Sequence, residues 1–152
     1  MNMVYASAIM AFLHHLAAFT LVASLAVEVA SFKPPLTLIQ ARRLRATDSI
    51  FGVSAGVLLI VGLLRVFYFE KGAGYYFSNP YFLTKFSLFI IAALISIYPT
   101  VLFLSWKKAI KAGTAPEVST EQTRRARMCL MLELTAIVII LFCAPFMARG
   151  LG

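Results

Sequence analysis

The chain has 152 residues, 61% of them hydrophobic, and a formal net charge of +8. At a mean hydropathy of +0.88, four apolar runs take up nearly all of it, and no length remains for a separate soluble domain. The charge is gathered between those runs, which speaks against nucleic acid as the partner.

Residues 4–32, 47–69, 80–106 and 128–147 are each long enough to cross a bilayer, because a helix rising 1.5 Å per residue needs about 20 apolar residues to span ~30 Å of hydrocarbon. Only helices and closed barrels satisfy their backbone in lipid, and these runs lack the alternation of barrel strands. The expected fold is all-α: a four-transmembrane-helix bundle, one integral membrane domain over residues 1–152.

The first span has no basic start and is longer than a signal-peptide core, so it is expected to be retained. Pro34 and Pro35 stop it. The loop that follows, 33–46, carries Lys33, Arg42, Arg43 and Arg45. Residues 36–45 are predicted as a short amphipathic surface helix, with Thr47 or Asp48 capping the second span. Within that span Gly52 and Gly56 form a GxxxG pattern, which predicts close helix packing. The loop 70–79 turns on its glycines and sets aromatics at the level of an interfacial belt. Pro80 suits the first turn of the third span, and Pro99 should kink that span. The next loop, from 107 to about 123, is polar and expected to be mobile. Lys107, Lys108, Lys111, Arg124, Arg125 and Arg127 lie between spans three and four, whereas the opposite side has Lys71 and Arg149 in its loop and tail. The positive-inside rule then gives cytoplasmic basic loops and an N-out, C-out topology, with the basic charge facing anionic headgroups of the lipid bilayer. Cys129 and Cys143 share one helix roughly 21 Å apart, too far to bridge.

His14, His15, Glu28, Arg65, Lys85 and Glu133 are stranded in or near the spans. Ionisable groups are costly there and by default mark a functional site. Helical periodicity places His14 on a small, polar face with Ala17, Ser24 and Glu28, looking into the bundle, and places His15 towards lipid or a flank. His14, Arg65, Lys85 and Met147 fall in the outer half; Glu28, Asp48 and Glu133 fall towards the cytoplasm. The outer group joins an imidazole to two cations with no evident buried carboxylate, Glu70 being expected at the surface. An anionic ligand would offset that charge. A haem is one: its iron takes a His, its propionates take Arg65 and Lys85, and Met147 is a candidate second axial ligand. The candidate cofactor-binding residues are therefore His14, His15, Arg65, Lys85 and Met147, with His14 the iron ligand.

Plainer readings stand beside this. Arg65 and Lys85 can snorkel to the headgroups, the two histidines can be interhelical hydrogen-bond glue, and Glu28 and Glu133 can pair with each other or with Arg127. Three functions follow: a haem-binding redox protein, a small homo-oligomeric transporter or channel lined by Glu28, Asp48 and Glu133, and a non-catalytic membrane assembly subunit. No nucleophile–base pair, phosphate loop or Cys/His metal spacing occurs in the chain.

Three short segments carry a resemblance: Tyr-Phe-Glu-Lys-Gly at 68–72, Asn-Pro-Tyr-Phe-Leu-Thr-Lys at 79–85 and Ser-Ile-Tyr-Pro-Thr at 96–100. Through them the chain resembles, over nearly its whole length, an uncharacterised bacterial family of small four-span membrane proteins. That resemblance implies the inner membrane and no activity. More loosely, the chain is similar to the HemJ-type protoporphyrinogen oxidases, four-helix bundles with a His in the first span and a Lys opening the third, which His14 and Lys85 match. This second resemblance implies haem b and a tetrapyrrole ligand, but the doubled His14 and His15 and the Tyr98, Pro99, Thr100 segment depart from that pattern.

Overall fold

The computed structural model describes residues 3–70 and 72–149, apart from the side chains of residues 147 and 148. Lys71 and the side chain of Met147 therefore lie outside the described residues. Among the described residues four long helices are apolar enough to cross a membrane: α1 (Met3–Ser31), α2 (Leu38–Leu64, continued by a π-helical turn, Arg65–Phe69), α4 (Pro80–Ser105) and α6 (Thr120–Ala148). Short helices α3 (Ala73–Phe77) and α5 (Lys107–Lys111) lie in the connections. Among the described residues there are no strands.

Capping chemistry moves two boundaries away from the sequence expectation. The segment 36–45 is not a separate surface helix, and neither Thr47 nor Asp48 is a cap. Instead α2 starts at Leu38 behind Thr37, whose hydroxyl accepts from the Gln40 amide while the Gln40 side chain accepts from the Thr37 amide. No glycine or proline interrupts 38–51, so helix propagates from that reciprocal cap into the bilayer. The same device, Ser119 with Gln122, precedes α6. The second basic loop is thus shorter than expected, and Arg124, Arg125 and Arg127 sit on helix. Asn79 caps α4 by accepting from the Tyr81 and Phe82 amides, with Pro80 next in its first turn. Gly72, at φ +86°, makes the turn into α3 in a conformation that favours glycine.

The helices pack as two tight hairpins, α1 on α2 and α4 on α6, which meet more sparsely through α1–α6 and α2–α4. Large apolar side chains cover the outside, among them Phe19, Ile60, Leu94 and Phe142, all highly exposed. A surface so apolar suits lipid and not water. The packed core forms two clusters, the larger running from the basic end to the middle of the bundle. On the basic side Phe32, Phe103 and Trp106 join Leu25, Leu44 and Leu130, with ring centroids of 5.6 Å for Phe32–Phe103 and 4.9 Å for Phe103–Trp106. On the glycine-loop side a smaller cluster gathers Val66, Tyr76 and Phe82. The GxxxG expectation is corrected here: a Cβ added at Gly52 or Gly56 would meet nothing within 4 Å, so no neighbouring helix closes on them.

Candidate functional site

Where the hairpins meet loosely lie two cavities, each lined in part by residues of these clusters. The outer one has a volume of about 280 Å³ and receives side chains from all four long helices. Its wall is mainly apolar, including Leu58, Phe86, Phe89 and Ile140, and its polar groups are His14, His15, Arg65 and Lys85, with Glu70 and Tyr76 at its edge. Four of the five residues expected to hold a cofactor are therefore brought to one cavity. The fifth, Met147, is on α6 three residues past Ala144, which lines it.

His14 is half-buried, and its Nδ1 is buried without a hydrogen-bond partner. That edge of the ring rests on α2 at Gly62, where an added Cβ would stand 3.3 Å from Cε1 and 3.6 Å from Nδ1. Gly62, not Gly52 or Gly56, is the glycine that makes room for something. His15 is exposed and differently held: its Nδ1 lies 2.6 Å from the Ala11 carbonyl one turn back. A carbonyl only accepts, so Nδ1 donates and the neutral ring keeps its lone pair on Nε2.

Arg65 opens the π-helical turn, a feature found often at functional sites because it re-aims side chains. Arg65 was expected to have no buried carboxylate partner, and Glu70 is indeed exposed, yet the two pair. Arg65 Nη2 is 2.6 Å from Glu70 Oε1, and the two side chains are only partly exposed. The chain doubles back after Phe69, so a residue five positions on reaches the guanidinium. The Tyr76 hydroxyl donates to the other Glu70 oxygen at 3.5 Å, and burial holds the Tyr76 phenol above its ordinary pKa. One Arg65 donor, Nε, is still buried without a partner. Lys85 has no carboxylate within ion-pair distance among the described residues. Its Nζ lies 5.9 Å from the centre of the Phe82 ring.

A second polar layer lies towards the basic side. Glu28 on α1, Asp48 on α2 and Glu133 on α6 are all buried. Thr100 on α4 donates to Asp48 Oδ1 at 2.7 Å. Glu133 and Thr100 line an inner cavity of about 230 Å³ together with Ser96 and Gly52, and Phe89 borders both cavities. From His14 to Glu28 is roughly 21 Å along α1. Glu28 and Glu133 do not pair as expected: Glu28 Oε1 and both Glu133 carboxyl oxygens are buried without partners. Arg127 is exposed and makes no ion pair among the described residues, because its place on α6 faces outward. Glu121 instead pairs with Arg124 and Arg125 on the helix surface.

Sequence reasoning missed three parts of this geometry. The π-helical turn leaves no residue signature. Gly62 was visible only as one more glycine. Thr100 was legible as part of the 96–100 segment, but its partner Asp48, 52 residues away in sequence, was not.

Among the described residues no three His, Cys, Asp or Glu side chains converge closely enough to hold a metal ion between them. A family model described as "Predicted membrane protein (DUF2214)" matches residues 6–152. No curated protein and no solved structure matches the sequence, and the looser likeness to the porphyrinogen oxidases gains no support from these comparisons.

Proposed function

The chain belongs to this family of membrane proteins, and from that premise we propose that its outer cavity binds a carboxylate-bearing tetrapyrrole, b-type haem first among them. The observation that carries this reading is a set of unsatisfied polar groups around an apolar space. His14 Nδ1 and Arg65 Nε are buried without partners, and Lys85 lacks a counter-ion among the described residues. Unpaired polar groups at bilayer depth are costly, and a ligand that is apolar in its body and anionic at its edge would offset that cost.

The residues fit such a group by their chemistry. His14, on the inward face of α1, would hold the iron. Arg65 and Lys85 hold the carboxylates; Glu70 keeps one side of the guanidinium occupied and leaves Nε for the ligand. Phe86, Phe89 and Leu58 exclude water from the ring. His15 is the second imidazole at the cavity, and Met147, by its place on α6, would be a further candidate to hold the iron. When bound, a haem supplies one-electron redox chemistry whose potential follows its axial ligands and burial.

The channel reading is supported less. The Phe32, Phe103, Trp106 cluster fills the basic end of the bundle, where a conducting path would have to open. The test is an absorption spectrum of the detergent-purified protein, oxidised and dithionite-reduced. A Soret band that is lost in His14→Ala supports the reading. A protein that stays colourless when expressed with added haem precursor refutes it.

A further inference from the structure

Three of the six acidic residues of this chain, Glu28, Asp48 and Glu133, meet at one level of the bundle, and the outer cavity uses none of them. Each comes from a different helix. Glu28 lies within Coulombic reach of both others, and Glu133 within reach of Asp48. The groups that face them are Thr100 from α4, bonded to Asp48, and the Cys129 thiol, one turn before Glu133 on α6. No cation among the described residues pairs with any of the three.

Glu28 and Glu133 are each 1% exposed. Both Glu133 oxygens and Glu28 Oε1 lack partners, and Glu133 borders the inner cavity of about 230 Å³. A water in the liquid takes up about 30 Å³, so the cavity has room for several beside that carboxyl. Three mutually repelling carboxylates cannot all stay ionised without a counter-charge in so apolar a setting. Among the described residues no three-ligand cluster that could hold a metal ion forms.

We propose that the inner cavity is a proton-binding site, in which Glu133, Glu28 and Asp48 together hold at least one exchangeable proton, hydrated by water in the cavity. Binding is the simple balance of one carboxylate and one proton giving one carboxylic acid, shared across coupled groups. The aromatic cluster at the basic end and Phe89 at the outer end keep the site out of bulk water, so its proton exchanges more slowly than that of a surface carboxyl. The site does not depend on the tetrapyrrole reading, because the protein without a ligand in its outer cavity holds the same proton.

The test is infrared spectroscopy of the full chain in lipid nanodiscs at neutral pH. The expected result is a protonated-carboxyl C=O band that shifts to lower frequency in D₂O. The band is partly lost in Glu133→Gln and in Glu28→Gln, and fully lost in the double variant. Glutamine matches the neutral acid in size, and circular dichroism checks that each variant folds. The wild-type spectrum decides the matter even if a variant fails to fold: absence of the band at neutral pH overturns the proposal. So does a band that disappears on adding sodium chloride at fixed pH, which would make the cavity a cation site, or one undiminished in both single variants.

Discussion

Phe103 is fully buried and touches both Phe32 and Trp106 in the aromatic cluster at the basic end. Phe103→Ala in a water-soluble core costs about 3–5 kcal/mol. Part of that, about 1.5–3 kcal/mol, is transfer of the side chain from water. In a bilayer this part vanishes, because lipid tails are as apolar as the core. What remains is lost packing against two rings, each aromatic pair contributing about 0.5–1.5 kcal/mol. The expected cost is about 2 kcal/mol, or roughly 30-fold in the folding equilibrium. Trp106 is the sole tryptophan in the chain and lies within this cluster, so its emission during SDS titration in mixed micelles reports on the cluster itself. The control is Phe12→Ala, where the residue is 64% exposed and little packing is lost; it should change stability by no more than about 0.5 kcal/mol. Equal costs for the two variants would refute the idea that packing at this end, rather than general apolarity, holds the hairpins together.

Other outcomes follow from the same geometry. Gly52→Ala and Gly56→Ala should each stabilise the protein by up to about 1 kcal/mol in the same titration, because alanine favours helix and no atom stands in the way; a loss of stability would restore the close-packing reading of GxxxG. Gly62→Ala should be nearly neutral in stability but should move the His14 ring by a few tenths of an ångström, seen as a changed imidazole resonance, and an unmoved resonance would contradict the contact. A double-mutant cycle of Arg65→Gln with Glu70→Gln should show coupling of about 1 kcal/mol for this partly buried pair, and coupling near zero would mean that the ion pair does not hold the outer turn. Asn79→Ala removes the acceptor for two amides at the start of α4 and should cost about 1 kcal/mol by thermal or SDS unfolding; no measurable cost would argue against the cap.

Some of the architecture could be read early because it depends on one helix at a time. The four spans follow from apolar runs alone. The inward faces of α1 and α6 follow from the helical spacing of His14, Ala17, Ser24 and Glu28, and of Glu133, Ala136 and Ile140, most of which are buried. The helix starts at Leu38 and Thr120 were also legible, since Thr37 with Gln40 and Ser119 with Gln122 are capping boxes by sequence; judging the spans by hydropathy hid them, because polar and basic residues follow each cap. Glu70 is exposed, as expected, but its pairing with Arg65 was missed because only the path of the chain after Phe69 brings it to the guanidinium.

By itself the sequence determined that this is a membrane protein of four helices, with its basic loops on one side and an imidazole and two cations at the other, because bilayer thickness and the cost of charge in lipid act on each segment separately. Tertiary structure alone decided that two hairpins pack tightly within themselves and loosely against each other, leaving two cavities between them. It alone decided that Gly62 faces His14, that Thr100 reaches Asp48, and that three carboxylates from three helices share one level. Those facts depend on the rotation and crossing of helices distant in sequence, which side-chain packing fixes and no local pattern encodes.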